Sequence, residues 1–128
     1  MPYVDVRIHP APSEEQAAAL ARGVTDVMAN VAGKRREVTA VRIGASEAGL
    51  WTIGGVPCGT TTAYVDVKIT AGTNSREEKA ALVRHLHHLL SDTFGELAEA
   101  SYVVVHELSA ENWGYAGLTQ AARAATRT

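Results

Sequence analysis

The chain is predicted to be an α+β protein. Two tandem β-α-β units would form a four-stranded sheet with two helices on one face, related by a pseudo-twofold axis. Three observations carry this. The stretch Pro2–Ile8 (PYVDVRI) returns at Ala63–Ile69 as AYVDVKI, identical at five of seven positions. Each copy is followed by a Ser-x-x-Gln/Glu signal and a helical pattern of apolar residues. Each helical pattern is followed in turn by a β-branched run.

The elements follow in order. Residues 2–8 set Val4, Val6 and Ile8 against Tyr3, Asp5 and Arg7, the period of two of a strand. His9-Pro10-Ala11-Pro12 stops it, because proline has no N–H for a ladder. Ser13-Glu14-Glu15-Gln16 is a capping box in which serine accepts a free backbone N–H and Gln16 reaches back. A helix is expected over 14–32, with Leu20, Val24, Val27 and Val31 on its apolar face and Gly33 as its stop. Lys34-Arg35-Arg36-Glu37 reads as a solvated loop. Val38–Ile43 is the second strand, laid parallel to the first by a right-handed crossover. Trp51–Val56 is a short strand or hairpin arm, and Pro57–Gly59 is the link to the second half.

The second half repeats the plan. Strand 63–69 leads through a Gly72 turn to the capping box Ser75–Glu78 and a helix over 76–94, with Leu82, Leu86, Leu89, Leu90 and Phe94 on its apolar face. Strand 101–107 follows, and Asn112–Gly117 echoes Trp51–Gly55. The division is one domain over 1–128: a first unit 2–58, a second unit 62–118 and a weakly helical tail 119–128. With both helices on one sheet face, the other is left uncovered, whether it carries Tyr3, Asp5 and Arg7 or Val4, Val6 and Ile8. That predicts an oligomer, most simply a homotrimer.

Composition narrows the function. The 128 residues are 46% hydrophobic and 20% charged, with a net charge of −2. These are globular values that give no electrostatic case for nucleic acid or an acidic membrane surface. Cys58 is alone, so neither an intrachain disulfide nor a cysteine metal site is expected. No apolar run reaches the roughly 20 residues of a membrane span and no signal peptide opens the chain, so the expectation is a soluble, cytoplasmic protein. His85, His87 and His88 project onto the flank and far side of the second helix and are expected to be solvated.

The two strand copies differ where it matters. With Met1 removed, Pro2 is a terminal secondary amine able to act as a base or nucleophile, whereas the nitrogen of Ala63 is an amide. One copy can carry chemistry and the other only architecture. With Met1 retained, the Pro2 nitrogen is a tertiary amide and that chemistry is lost.

A β-α-β unit with a Met-Pro start, a Ser-x-x-Gln/Glu cap, a Val41-Arg42-Ile43 strand and Trp51-Thr52-Ile53-Gly54-Gly55 resembles the tautomerase superfamily. The duplication makes the chain similar to fused, two-unit members related to 4-oxalocrotonate tautomerase. Its length and the stretch 48–56 also resemble cis-3-chloroacrylic acid dehalogenase. The resemblance covers residues 2–118. It implies that Pro2 is the catalytic base and that Arg42 binds a carboxylate or polarises a carbonyl. Trp51 and Trp113 would wall the pocket, and no metal or organic cofactor is needed. The departures are equally specific. The arginine that the tautomerases place ahead of the helix cap is Pro12 here, and Asn74 in the second half. Where the dehalogenase has paired arginines, this chain has Thr70, Thr73 and Asn74. The dehalogenase's helical histidine is Met28, and its tyrosine and glutamate fall near Tyr102 or Val104 and Tyr115.

Several assignments therefore stand side by side. A terminal α-amine with an ordinary pKa of roughly 8 becomes a working base near neutrality when burial or a nearby cation disfavours its ammonium form. Arg42 either grips an anion with its planar fork or makes an interface ion pair. Trp51 and Trp113 are core or interface aromatics, or substrate contacts. Asn74, Tyr102 and Tyr115 complete the candidate substrate-binding set. The leading reading is proton transfer on a small enolisable oxo acid or ketone. Because Arg42 is the one family arginine retained, a monocarboxylate or ketone with an apolar tail is expected over a dicarboxylate. Hydration, dehalogenation or decarboxylation by the same proline would need a water-activating group, for which Glu111 and Tyr115 are nearest. A non-catalytic trimeric binding protein would follow from a retained Met1.

Overall fold

A computed structural model of the chain describes residues 2–47 and 49–126. The elements run β1 (Tyr3–His9), α1 (Glu14–Asn30), a 3-10 turn (Arg36–Val38), β2 (Ala40–Ala45) and a hairpin of β3 (Thr52–Ile53) and β4 (Val56–Pro57). The second half runs β5 (Thr62–Thr70), α2 (Arg76–Phe94), β6 (Tyr102–Leu108), a hairpin of β7 (Gly114–Tyr115) and β8 (Leu118–Thr119), and α3 (Gln120–Ala125). The main sheet has the order β2-β1-β5-β6. β1 pairs with β2 and β5 with β6 in parallel, while the two units meet through the antiparallel β1–β5 pair. This is the α+β, double β-α-β architecture expected. Asp5 lies directly opposite Asp66, its own counterpart in the repeat, so the pseudo-twofold axis passes through that pair.

Strand alternation decides which face is covered. Val4, Val6 and Ile8, with Val65, Val67 and Ile69, point into the core against Leu20, Val24 and Met28 of α1 and Leu82, Leu86 and Leu90 of α2. Each such side chain contributes roughly 1.5–3 kcal/mol on full burial. The helices come close at Gly23, where a Cβ would stand 2.6 Å from the Leu89 side chain. The open face carries Tyr3, Asp5 and Arg7, the alternative in which the uncovered surface is polar.

Several bounds differ from those expected, β1 spanning 3–9 rather than 2–8 and β5 62–70 rather than 63–69. α1 ends at Asn30 rather than 32, and its fully buried row is Leu20, Val24 and Met28, spaced four apart, with Val27 and Val31 on the flank. Met28 is therefore core. β2 begins at Ala40 rather than Val38, because parallel pairing starts where Tyr3 of β1 becomes available; Arg36–Val38 form a 3-10 turn instead. The last predicted strand is shifted one residue, to 102–108. The α2 bounds match the expectation at both ends. The tail does form a short helix as far as Ala125; Arg127 and Thr128 lie outside the described residues.

Both capping boxes form. At α2, Ser75 Oγ accepts from the Glu78 N–H at 3.1 Å, and the Ser75 N–H donates to Glu78 Oε1 at 2.7 Å. That backbone donor is the largest influence holding the Glu78 carboxyl below its usual 4.5. A depressed folded pKa means that this contribution is present above 4.5 and is lost as pH falls through the lower folded value. Ser75→Ala is expected to cost about 1 kcal/mol at neutral pH. The check is urea denaturation, with the midpoint lowered and the slope unchanged.

Candidate active site

The antiparallel centre gives the sheet two chemically different ends. At one end lie the start of β1, the start of β2 and the finish of β5 and β6. Pro2 is here and is buried; its carbonyl accepts from the Ala40 N–H at 3.3 Å. The register continues from Tyr3 opposite Lys68, so the chain beyond β5 turns next to the amino terminus. Against this end opens a cleft of about 370 Å³. The α1–β2 loop supplies Lys34, Arg35 and Val38, the β5–α2 turn supplies Thr70 and Thr73, and α3 supplies Gln120. The α3 segment is drawn over the cleft by two backbone bonds, Gln120 N–H to Trp113 O at 2.9 Å and Ala121 N–H to Ala110 O at 2.8 Å.

Lys34 is the less exposed of the two cations that line this cleft. Its ammonium donates to Thr73 Oγ1 at 2.8 Å, a contact between the two units. Burial pushes its pKa down from the usual 10.5, while Glu78 works against that. Arg35 is more open, with 59% of its side chain exposed, and its Nε lies 3.8 Å from Glu37. The charge run 34–37 reads in sequence as a wholly solvated loop; Arg36, paired with Asp26 at 2.8 Å and exposed, behaves that way, but Lys34 does not. The signal is Gly33 ahead of it: with φ at +68° it turns the chain back over the sheet end. The same cation revises the case built on the missing arginines, because this end has a positive charge that the cap positions lack.

The predicted site residues divide between the two ends and the open face. Asn74 is at the Pro2 end, but its Nδ2 donates to Ala32 O at 3.0 Å and its Oδ1 accepts from Thr73, so its amide holds the two units together. Trp113 is also at this end, lining a shallow groove with Glu111 and Leu118 beside the cleft. The Tyr115 ring carries the Arg123 guanidinium at 3.9 Å from its centroid, and Arg123 Nη2 donates to Tyr115 O at 2.9 Å. Trp51 and Tyr102 are at the far end, around Ala63. There they line a second cavity of about 510 Å³ with Ile53, Tyr64 and Ala100.

Arg42 stands on the open face, on edge strand β2. Its Nη1 is 3.9 Å from Asp5 Oδ2, and 65% of its side chain is exposed. Arg7 is 3.7 Å from the same oxygen, and across the axis Lys68 is 3.0 Å from Asp66. His106 Nε2 is 3.3 Å from Asp66 Oδ1 but lacks hydrogen-bond geometry, so proximity rather than a bond relates them. Two opposed carboxylates thus sit among three cations, Arg7, Arg42 and Lys68, which offsets the repulsion that like charges suffer across a strand pair.

His85, His87 and His88 are exposed, and no group of three metal-ligating side chains could hold an ion among the described residues. Among those residues no helix is long and apolar enough to cross a membrane. Cys58 is a free thiol 3.1 Å from Thr60 O. Met1, whose removal frees the Pro2 amine, and Ala48 lie outside the described residues.

Known proteins share this arrangement. The family model described as Tautomerase enzyme matches twice, over residues 2–61 and 64–123. A curated relative, probable tautomerase K2 of Dickeya dadantii (strain 3937), is 32% identical over 54 residues, 42% of this chain and 81% of its own. Among solved structures, Pt0534 inactivated by 2-oxo-3-pentynoate superposes with a TM-score of 0.87 at 20% identity, covering 94% of this chain and 98% of that one. A symmetric trimer of wild-type fused 4-OT gives 0.85 at 23% identity, with coverage of 94% and 98%. The macrophage migration inhibitory factor-like protein of Entamoeba histolytica gives 0.75 at 23% identity, with coverage of 89% and 94%. At such identities the structures speak for the fold; with the family model matching both units, the chain belongs to the tautomerase family.

Proposed function

We propose that the protein is a tautomerase that moves a proton within a small enolisable 2-oxo monocarboxylate, with Pro2, freed of Met1, as general base. The observation that carries this is a buried proline at the start of β1, at the sheet end where the cleft holding the half-buried Lys34 opens; Pro2 is not itself among the residues that line that cleft. Burial and a nearby ammonium both disfavour the protonated proline, which favours a neutral amine near pH 7. That amine takes the proton from the enol oxygen or from C3, the carbon next to the ketone, and returns it to the other atom. Lys34 stabilises the negative charge that develops on substrate oxygen, where a fixed charge in a poorly solvated cleft acts most strongly. The first unit, 2–58, then carries the chemistry. The second, 62–118, supplies Thr73 and the cleft's far wall, and α3 covers it.

Arg42, Trp51 and Tyr102 do not reach the Pro2 cleft of their own chain. They fit a trimer in which the open sheet face is covered and one protomer's far end meets its neighbour's Pro2 end, as the trimeric fused 4-OT relatives encourage. Light scattering is expected to give a three-chain mass at micromolar concentration; a monodisperse monomer overturns this part.

The substrate preference rests on charge. Lys34 offers one half-buried cation, whereas Arg35 is open and drawn to Glu37 and Asn74 is committed to Ala32. A second carboxylate would be desolvated without a matching partner. Ketonisation of phenylenolpyruvate, followed by ultraviolet absorbance, is expected to exceed that of 2-hydroxymuconate in kcat/KM. The reverse order contradicts the single-cation reading.

A further inference from the structure

We infer that the Gln120 carboxamide is a specificity-determining donor of this cleft, hydrogen-bonding one carboxylate oxygen of a 2-oxo monoacid while the Lys34 ammonium holds the other. This deepens the proton-transfer reading of the Pro2 cleft and rests on it.

The observation is an unanswered polar group. Gln120 and Thr62 are the two buried polar residues among those described, with 7% and 0% exposure. Thr62 has partners, since its hydroxyl reaches Ala100 O at 3.3 Å and Ser101 Oγ at 3.2 Å. Gln120 Nε2 has none among the described residues and no accessible surface of its own, yet the residue lines the cleft, so a half-turn of the carboxamide about its last bond presents this donor to a ligand there. A buried amide donor without an acceptor is costly, and natural folds keep one where a ligand or ordered solvent completes it. Its backbone is held firmly: its own N–H is tied to Trp113 O, and Thr119 Oγ1 caps the Ala122 N–H at 3.0 Å. The other unpartnered donor on α3, Arg123 Nε, belongs to a guanidinium already stacked on Tyr115.

The donor set defines the ligand. With the Arg35 guanidinium of the same lining open to solvent, one ammonium and one neutral amide match one negative charge with two acceptor oxygens, which is a carboxylate. Val38 from the α1–β2 loop and Ala124 from α3, both in the lining, suit an apolar tail rather than a second acid.

The test pairs kinetics with a binding signal. Gln120→Leu is expected to keep or raise thermal stability, because it removes the unsatisfied amide. It should raise KM for phenylenolpyruvate roughly three- to tenfold with kcat within about twofold, the scale of one neutral hydrogen bond. Gln120→Glu should raise KM further through repulsion. An unchanged KM in folded Gln120→Leu overturns the inference. If Gln120→Leu does not fold, or the wild type does not turn phenylenolpyruvate over, the side-chain amide spectrum decides. The Gln120 signals, assigned by their absence in Gln120→Glu, are expected to shift saturably with phenylpyruvate in both wild-type and Pro2→Ala protein. No shift overturns the inference whatever the activity. A shift with no turnover overturns the proton-transfer reading and leaves Gln120 as a ligand contact.

Discussion

Pro2→Ala is expected to lower kcat/KM for enol–keto proton transfer by about 10² or more, the usual worth of a positioned general base. The fold should survive. Position 63, the repeat counterpart of Pro2, is already alanine, fully buried and paired within β5. The substitution is informative because it leaves a terminal amine in place: the variant would begin with a primary amine that lacks the pyrrolidine ring. The ring bars rotation about the N–Cα bond and so fixes the direction of the nitrogen's lone pair, whereas alanine's amine can rotate away. A harsher control follows. One extra residue retained ahead of Pro2 turns its nitrogen into a tertiary amide with no lone pair to offer, and activity should vanish. A loss below about tenfold in both proteins removes Pro2 from the mechanism.

Lys34→Met is expected to reduce kcat/KM by roughly 10- to 100-fold, since a hydrogen bond to a charged group contributes about 1.5–3 kcal/mol. The same change should raise stability. The folded Lys34 pKa lies below the usual 10.5 because of burial, so between those two values the unfolded chain binds more protons. Stability therefore rises with pH through that window, and below it the folded state bears the cost of a desolvated ammonium. Methionine keeps much of the stem's packing and removes that cost. The alkaline fall of kcat/KM should begin below 10.5 in the wild type and disappear in Lys34→Met. A variant that loses stability and activity together would instead mark Lys34 as a strut between the α1–β2 loop and Thr73.

Much of the fold is legible in the sequence because its signals are local. Alternation in PYVDVRI and its copy predicts which side chains of β1 and β5 share a face, and Ser13–Gln16 and Ser75–Glu78 mark both helix starts. The bounds that shift are those set by pairing: β2 starts where Tyr3 allows it, not where the β-branched run begins. The second hairpin echoes the first as expected, yet it holds Ala116 at φ +52° where the first has Gly54. The site is less legible because it is assembled from distant segments. Lys34 meets Thr73 of the other unit, and Gln120 arrives from a stretch that reads as tail. A repeat joined by antiparallel strands also puts equivalent residues at opposite ends of the sheet. The register therefore separates Trp51 from Trp113, although their sequence contexts match.

The state of the Pro2 nitrogen separates a catalytic base from an inert strand residue. In isotope-labelled protein its nitrogen resonance can be followed from about pH 5 to 10. A titrating secondary amine is expected, with a midpoint below the ordinary α-amino value of roughly 8 that moves upward when Lys34 is changed to methionine. A nitrogen that does not titrate, as in a peptide bond to a retained Met1, or one whose midpoint lies above that value, would contradict a catalytic Pro2.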